Sequence, residues 1–260
     1  MSDPADTLPA PAVARREDVM GMPVEVELHD EVAAPAVDEV FAWLRRVDAT
    51  FSTYRPDSEI SRIARGELAE RDASANVRRV LERCEALRAQ TGGYFDARAG
   101  GVLDPSGLVK GWAVERAARL LEVAGARNFC LYAGGDVVVR GRPACGVRWR
   151  IGIQHPLRGD RVAAVLESER LAVATSGEYA RGAHILDPHT GAPPAGVLSV
   201  TIAGPDLGTA DAYATAAFAM GAGGPEWTRA IAPYEAMTVL ADERVLLTPG
   251  FERLRDLAAA

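Results

Sequence analysis

Phe129-Cys130-Leu131-Tyr132-Ala133-Gly134-Gly135-Asp136-Val137-Val138-Val139 contains two apolar runs that are separated by a pair of glycines. This pattern predicts a β-hairpin, because glycine readily adopts the positive φ angles that a two-residue connection requires. The strands of a hairpin pair antiparallel. The sheet that contains this segment is therefore predicted to be antiparallel.

Periodic apolar patterns extend from this hairpin in both directions. Residues 24–29 alternate apolar and polar side chains, as a half-buried strand does. Helices are predicted after Pro35, at about residues 77–87 and at 112–124, because their apolar residues recur every three or four positions. Further strands are predicted at 149–153, 171–175, 197–203, 236–240 and 245–248, with helices at 209–220 and 226–231. The predicted class is α+β, with antiparallel sheets flanked by helices.

The chain is predicted to form one domain after a short tail. Residues 1–19 are rich in Pro, Ala and Asp and lack the apolar run of a secretory signal, so we expect a flexible tail there. No repeat or low-complexity linker divides residues 20–256. Glycines and polar clusters in residues 92–110 predict a loop-rich region before the helix at 112–124.

Composition argues against several classes of protein. The chain has 260 residues, 48% of them hydrophobic, which is enough for a large buried core. The net charge is −7 with both signs interspersed, so we expect no nucleic acid partner. The sequence contains no run of about 18 consecutive apolar residues, so we expect no membrane span. The three cysteines form no C-x-x-C pair, which is typical of reduced thiols, and the expected location is cytoplasmic.

The pair Asp211 and Thr215 is the first candidate for chemistry. The two residues lie four positions apart in a predicted helix, so their oxygen atoms share one face. Mg²⁺ prefers such hard oxygen ligands and keeps open positions for a phosphorylated substrate. The alternative is structural, with Asp211 near a helix N-terminus and Thr215 packed as a β-branched residue.

Two further segments suggest phosphate binding. The segment from Asp104 to Lys110 offers a carboxylate, flexible backbone and an ammonium group before a helix, where phosphate is readily bound. A solvated surface loop is the alternative. Thr175-Ser176-Gly177 follows an apolar strand, and its hydroxyl groups suit a phosphate or a ribose, although Ser-Gly is also ordinary in turns.

His184 is the candidate general base, because imidazole titrates near neutral pH and can accept a proton from an attacking hydroxyl group. The alternative is a hydrogen-bonded structural histidine. The other histidines show no metal-ligand spacing, so they are expected to be structural. The patterns G-x-G-x-x-G and G-x-x-x-x-G-K-[ST] are absent, which argues against Rossmann and P-loop proteins.

Taken in order along the chain, these motifs resemble the ApbE flavin transferases, which are FAD:protein FMN transferases. The resemblance covers about residues 20–221 and rests on Val19-Met20-Gly21, Phe51-Ser52-Thr53-Tyr54-Arg55-Pro56-Asp57-Ser58-Glu59-Ile60, Gly93-Tyr94-Phe95-Asp96, Lys110-Gly111-Trp112-Ala113, Gly134-Gly135-Asp136, Ala174-Thr175-Ser176-Gly177, His184-Ile185-Leu186-Asp187-Pro188 and Ala210-Asp211-Ala212-Tyr213-Ala214-Thr215-Ala216.

The resemblance implies two packed halves around an FAD cleft and Mg²⁺-dependent transfer of FMN from FAD to a Thr or Ser hydroxyl group, with release of AMP. The acceptor would be a flavin-carrying protein with an Asp-Gly-x-Ser/Thr-Gly-Ala-Thr type of sequence. The implied metal ligands are Gly107, Asp211 and Thr215. The implied FAD contacts are Met20, Tyr54, Tyr94, Phe95, Asp96, Asp104, Lys110, Thr175 and His184, with His184 also the base.

The sequence departs from the family pattern at three places. Met22 stands where Thr is usual, and Glu115 stands where Asp is common. Asp96 and Asp104 are only eight residues apart, because a longer segment with flavin contacts is missing between them. Two other functions share the same residues: an FAD pyrophosphatase that gives FMN and AMP, and a non-catalytic flavin-binding protein. The acceptor and the oligomeric state do not follow from the sequence.

Overall fold

The structure of this protein is a computed structural model, and it describes residues 9–177 and 185–255. Its strands are β1 (Val13–Val19), β2 (Met22–Leu28), β3 (Phe129–Ala133), β4 (Asp136–Arg140), β5 (Trp149–His155), β6 (Arg158–Ser168), β7 (Arg170–Gly177), β8 (Val197–Gly204), β9 (Glu235–Leu240) and β10 (Val245–Leu247). Its α-helices are α1 (Ala36–Phe51), α2 (Glu59–Ala64), α3 (Ala75–Gln90), α4 (Ser106–Val123), α5 (Leu207–Ala219), α6 (Gly224–Thr228) and α7 (Pro249–Leu254).

Eight of these strands form one antiparallel sheet in the order β1-β2-β3-β4-β7-β8-β9-β10. The predicted hairpin is β3 and β4, with Ala133 opposite Asp136 across the Gly134-Gly135 turn. Strands β5 and β6 pair separately in a two-stranded sheet. The predicted α+β class with antiparallel sheets is confirmed.

The large sheet has a hydrophobic core on each face, because side chains alternate between the faces along a strand. On β7, Ala172 and Ala174 pack with the helices. Leu171 and Val173 pack with the two-stranded sheet and α7 on the opposite face. The position of a residue along its strand therefore determines which of the two cores its side chain enters.

Helix α5 packs between α4 and the large sheet and is buried almost all round. Small residues make this possible, since its sequence Leu-Gly-Thr-Ala-Asp-Ala-Tyr-Ala-Thr-Ala-Ala-Phe-Ala is rich in alanine. Asp206 caps the helix by accepting a hydrogen bond from the backbone N–H of Thr209 at 2.9 Å. Helix α5 contacts α4 on one side and strands β7 and β8 on the other.

Helices α4 and α5 approach closely at two glycines. A methyl group on Gly111 would lie 2.5 Å from the carbonyl oxygen of Leu207 and 2.8 Å from Cβ of Asp211. On the other helix, a methyl group on Gly208 would lie 3.2 Å from the backbone of Trp112. Close packing against α5 therefore requires glycine at position 111 of α4, although glycine in a helix interior lowers the stability of the helix.

Two sequence-based expectations about these elements were wrong, and one strand was not predicted. Helix α4 begins at Ser106, so Gly107 and Lys110 lie in its first turns and not in a loop. Strand β6 was missed, because its first half, beginning Arg158-Gly159-Asp160-Arg161, is polar and exposed. Val13–Val19, expected in a flexible tail, forms β1 against β2. In the part of the chain that is described, no helix has the length and apolar character needed to cross a membrane.

Candidate metal and phosphate site

The β3–β4 turn delivers an acidic residue to the helical face of the sheet. Gly134 and Gly135 have φ angles of 55° and 102°, as the tight turn requires. Asp136 follows directly, is 0% exposed, and points to the same face as Val138. Its Oδ1 atom accepts a hydrogen bond from the backbone N–H of Thr175 at 3.4 Å.

Lys110 joins Asp136 to Asp211. Its Nζ atom lies 2.8 Å from Oδ2 of Asp136 and 3.3 Å from Oδ1 of Asp211. Asp211 is 3% exposed, and its second oxygen, Oδ2, accepts the backbone N–H of Gly111 at 3.0 Å. One lysine therefore lies between two buried carboxylates that come from a strand and a helix.

The electrostatics of this cluster follow from burial and proximity. Burial raises the pKa of Asp211 most strongly, Lys110 lowers it, and Asp136 raises it again. For Lys110, burial alone would lower the pKa, but the two carboxylates outweigh it and raise the pKa above its usual value. The ammonium group therefore stays charged at neutral pH.

Two hydroxyl groups and the backbone of α4 meet at the next turn of α5. Thr215 lies one turn beyond Asp211, and its hydroxyl oxygen is 3.5 Å from that of Ser176 on β7. A methyl group on Gly107 would lie 3.6 Å from Oγ1 of Thr215. The three predicted metal ligands, Gly107, Asp211 and Thr215, are thus on adjacent turns of α4 and α5.

These donors fit a hard cation. Among residues 9–177 and 185–255, no three His, Cys, Asp or Glu side chains group in a way that could hold a metal. The residues here instead offer one carboxylate, hydroxyl groups and the backbone of Gly107, a set of hard oxygen donors that would suit Mg²⁺.

The alternation along β7 separates Thr175 from Ser176. The Thr175 hydroxyl pairs with that of Thr201 at 2.9 Å, as neighbours across β7 and β8. Ser176 has the opposite orientation and faces Thr215 on α5. The structure therefore favours the Ser176 side chain over that of Thr175 at this site, and Thr175 contributes its backbone N–H to Asp136.

Phe95, Asp96 and Asp104 flank the start of α4. Phe95 is buried, and its ring would lie 3.2 Å from a methyl group on Gly107. Asp104 accepts the backbone N–H of Ser106 at 2.9 Å and so stabilises the first turn of α4. Asp96 accepts the backbone N–H of Arg98 at 2.8 Å.

Tyr94 contacts a second loop through His189. The rings of Tyr94 and His189 meet edge to face at 4.6 Å, and Nε2 of His189 lies 3.1 Å from the carbonyl oxygen of Gly92. The expected structural role of His189 agrees with these contacts. His184, the predicted base, lies outside the described residues.

Met20 and Tyr54 are the remaining predicted contacts. Met20 lies in the β1–β2 turn with a positive φ of 58°, uncommon for a residue with a side chain. Tyr54 is 96% exposed, so its ring is available to a ligand. No described contact joins Tyr54 to the oxygen-rich site.

Sequence reasoning missed Asp136 and passed over Ser176 in favour of Thr175. The signal for Asp136 was an acidic residue between a Gly-Gly turn and the apolar run Val137-Val138-Val139. A carboxylate at that position enters a buried strand and therefore needs a partner.

The fold of this protein is that of the ApbE proteins of known structure. The flavin transferase ApbE from Vibrio cholerae superposes with a TM-score of 0.82 at 24% identity, over 93% of this chain and 98% of that one. The ApbE protein from Thermotoga maritima gives 0.83 at 25% identity, over 94% and 99%. The chain belongs to the ApbE family, whose sequence profile matches residues 20–104 and 97–238.

Curated relatives carry the name FAD:protein FMN transferase. The Vibrio cholerae protein is 33% identical over 168 residues, which is 61% of this chain and 50% of the relative. The Haemophilus influenzae protein is 27% identical over 249 residues, 71% and 72% of the two chains. The Rhodobacter capsulatus protein is 28% identical over an alignment of 313 residues, which covers 94% of this chain and 58% of the relative. The chain spans about half the length of the Vibrio cholerae and Rhodobacter capsulatus relatives.

Proposed function

We propose that this protein transfers FMN from FAD to a Ser or Thr hydroxyl group of an acceptor protein and releases AMP. The observation that carries the proposal is the buried Lys110–Asp136–Asp211 cluster beside Thr215 and Gly107. It lies within the region matched by the ApbE profile, and the curated relatives are named for this reaction.

Gly107, Asp211 and Thr215 are the proposed ligands of Mg²⁺, with the nearby Ser176 hydroxyl able to bind a metal-bound water. A bound Mg²⁺ would neutralise charge on the phosphate oxygens of FAD, which is the main electrostatic requirement of phosphoryl transfer. Oδ2 of Asp211 is engaged by the backbone of Gly111, so Oδ1, which faces Lys110, is the oxygen proposed for the metal.

Lys110 is proposed to contact the pyrophosphate of FAD. Its charge is maintained by Asp136 and Asp211, and 19% of its side chain remains exposed to solvent. Because both carboxylates fix the position of the ammonium group, it is preorganised and needs little rearrangement to meet a phosphate oxygen.

The remaining FAD contacts are proposed from the sequence resemblance. They comprise an exposed ring at Tyr54, the ring of Tyr94, the turn at Met20, the carboxylates of Asp96 and Asp104, and the backbone of Thr175. Phe95 is proposed to support the FAD site indirectly, because its buried ring packs against Gly107.

A cytoplasmic location is also proposed, supported by the free cysteines Cys84, Cys130 and Cys145.

The direct test is to incubate the protein with FAD, Mg²⁺ and a candidate acceptor, and to record the intact mass of the acceptor. We expect the acceptor to gain the mass of FMN less one water, with stoichiometric AMP. The matched control is the same acceptor with its target Ser or Thr replaced by Ala. Release of FMN and AMP without labelling of any acceptor would identify a pyrophosphatase, and unchanged FAD would identify a binding protein.

His184 is proposed as the base that accepts the proton of the acceptor hydroxyl group. His184→Ala should slow single-turnover FMN attachment by about 10²–10⁴-fold while FAD affinity changes little, because a base acts on the barrier. Quenched-flow measurement with saturating FAD and Mg²⁺ gives the rate, and fluorescence titration gives the affinity. A parent-like rate would make His184 structural.

A further inference from the structure

A buried ion pair joins strand β4 to helix α4, two helical turns along α4 from Gly107. Arg140 on β4 is 2% exposed, and its NH2 atom lies 2.9 Å from Oε1 of Glu115 on α4, which is 6% exposed. The other oxygen of Glu115, Oε2, accepts the backbone N–H of Leu207 at 3.0 Å. Leu207 is the first residue of α5, so the pair connects β4, α4 and the N-terminus of α5.

The Glu115 contact is one of three regularly spaced contacts between α4 and α5. Gly107 lies against Thr215, Gly111 donates to Asp211, and Glu115 accepts from Leu207. Each step moves four residues forward along α4 and four residues back along α5. Because four residues are about one helical turn, these contacts fix the axial register of two antiparallel helices. Two of the three contain a proposed metal ligand.

Strand β4 holds α4 at two places. Asp136 binds Lys110, and four residues further along the strand Arg140 binds Glu115. Both strand residues point to the helical face, because they are an even number of positions apart. The second attachment fixes α4 without contacting the proposed metal site.

We propose that Glu115, held by Arg140, is a positioning residue that sets the register of α4 and α5, and thereby the spacing of Gly107 from the Asp211 and Thr215 side chains. This rests on the proposed function, in which these three residues hold Mg²⁺. The bond to Leu207 performs the positioning, and Arg140 keeps the Glu115 carboxylate in place.

A buried ion pair is a weak source of stability, because the cost of desolvating both charges offsets their attraction. Replacing both members with apolar residues of similar size is therefore often tolerated, whereas removing one leaves a buried charge. This difference separates positioning from stability experimentally. The informative variants change both residues together.

The test compares the double variants Glu115→Met/Arg140→Met and Glu115→Gln/Arg140→Met. Only the second keeps a side-chain oxygen that can accept the backbone N–H of Leu207. Mn²⁺ is the probe, and its affinity is measured by the loss of the free-ion EPR signal without turnover. Unfolding free energies come from urea titration of the same samples.

We expect the Met/Met variant to fold and to bind Mn²⁺ ~10-fold more weakly or worse, as for loss of groups that orient metal ligands. The Gln/Met variant should recover most of the affinity. Glu122→Gln is the matched control, because Glu122 also contacts Arg140, at 3.2 Å, but is not the carboxylate that binds Leu207. It should bind Mn²⁺ as the parent does.

Three results would overturn the positioning role: parent-like Mn²⁺ affinity in the Met/Met variant, equal loss of affinity in both double variants, or failure of the Met/Met variant to fold. A parent protein that binds no Mn²⁺ would instead reject the metal site of the proposed function. The two failures are therefore distinguishable.

Discussion

Asp211 combines several roles in one carboxylate. Asp211→Asn keeps the volume and an oxygen that can accept the N–H of Gly111, but it removes the charge that faces Lys110. We expect FAD turnover in Mg²⁺ to be lost and the fold to be retained, because an amide is a poor ligand for this ion. Product analysis of FAD reactions gives turnover, and circular dichroism gives the fold. Parent activity in excess chelator would reject the assignment.

Lys110 neutralises the charge of two buried carboxylates, those of Asp136 and Asp211. Lys110→Met should lower the unfolding free energy by about 3 kcal/mol, because breaking a buried ion pair leaves unpaired charge. The loss should lie at the low end of the usual range, since Asp211, whose pKa is raised by burial, can take up a proton. Urea denaturation at pH 7 measures it.

The control for Lys110 is Arg142→Met, which breaks an exposed pair with Glu169. It should change the unfolding free energy by less than about 1 kcal/mol. Equal effects of the two variants would show that Lys110 is effectively solvated. FAD affinity, measured on both, separately tests the proposed phosphate contact, and only Lys110→Met should reduce it.

At the scale of single residues, the sequence predicted contacts within one helix better than contacts between elements. The four-residue spacing was enough to bring Asp211 and Thr215 to one face. Asp136 reaches Asp211 across 75 residues of chain, and no local pattern indicates such a meeting. Thr175 was preferred to Ser176 because β7 is buried on both faces, so alternating polarity does not show which side chain faces the helices.

The crossing of α4 and α5 depends on the absence of a side chain at Gly111. Gly111→Ala should lower the unfolding free energy by about 1–3 kcal/mol, because the methyl group meets backbone that cannot move independently. It should also weaken Mn²⁺ binding, since the helices that carry the proposed ligands are forced apart. Urea titration and the EPR assay measure the two effects.

Gly223→Ala is the control for Gly111, because nothing lies within 4 Å of the added methyl group and φ is −82°. It should leave both the unfolding free energy and Mn²⁺ affinity near the parent values. A neutral Gly111→Ala would mean that α4 and α5 are more loosely packed than the distances indicate.

Secondary structure was predicted well where apolar periodicity is strong and poorly where packing overrides propensity. Helix α3 begins at the cap Ser74 and carries the expected buried face. The sequence pattern places the start of α4 six residues too late, because Gly107 and Gly111 are unfavourable in isolated helices. Their presence is explained by the close packing of α5 against α4. The polar first half of β6 has no buried face that a pattern can detect.

At the scale of the whole molecule, each core contains one cysteine whose thiol is kept neutral. Burial raises the pKa of Cys84, on the helical side, and of Cys130, on the other face, to about 12. The unfolded chain ionises these thiols near pH 9, so between about pH 9 and 12 the folded state binds more protons. The unfolding free energy should therefore fall as pH rises through this window.

Urea midpoints from pH 7 to 10 test the alkaline loss of stability, and the double variant Cys84→Ala/Cys130→Ala should flatten the dependence of the midpoint on pH.

In native protein at pH 8, iodoacetamide should modify the exposed Cys145 and spare the other two cysteines, as peptide mass mapping can show. Rapid labelling of Cys84 would reveal opening of the helical core.

The α+β class and the antiparallel sheet followed from the hairpin and from strands interspersed with helices. The division into two cores on opposite faces did not follow, because it depends on β5 and β6 leaving the large sheet to cover its second face. That choice is made by tertiary packing and not by local periodicity.

The burial of α5 determines how its backbone amides exchange hydrogen with solvent. Because neighbouring elements cover it almost all round, the helix cannot fray or detach without opening the layer around it. Its central amides should exchange with deuterium only when the entire protein unfolds, more slowly than those of the exposed first half of β6. We therefore expect the proposed ligands Asp211 and Thr215 to lie on a slowly exchanging helix, with the spacing between them insulated from local fluctuations elsewhere.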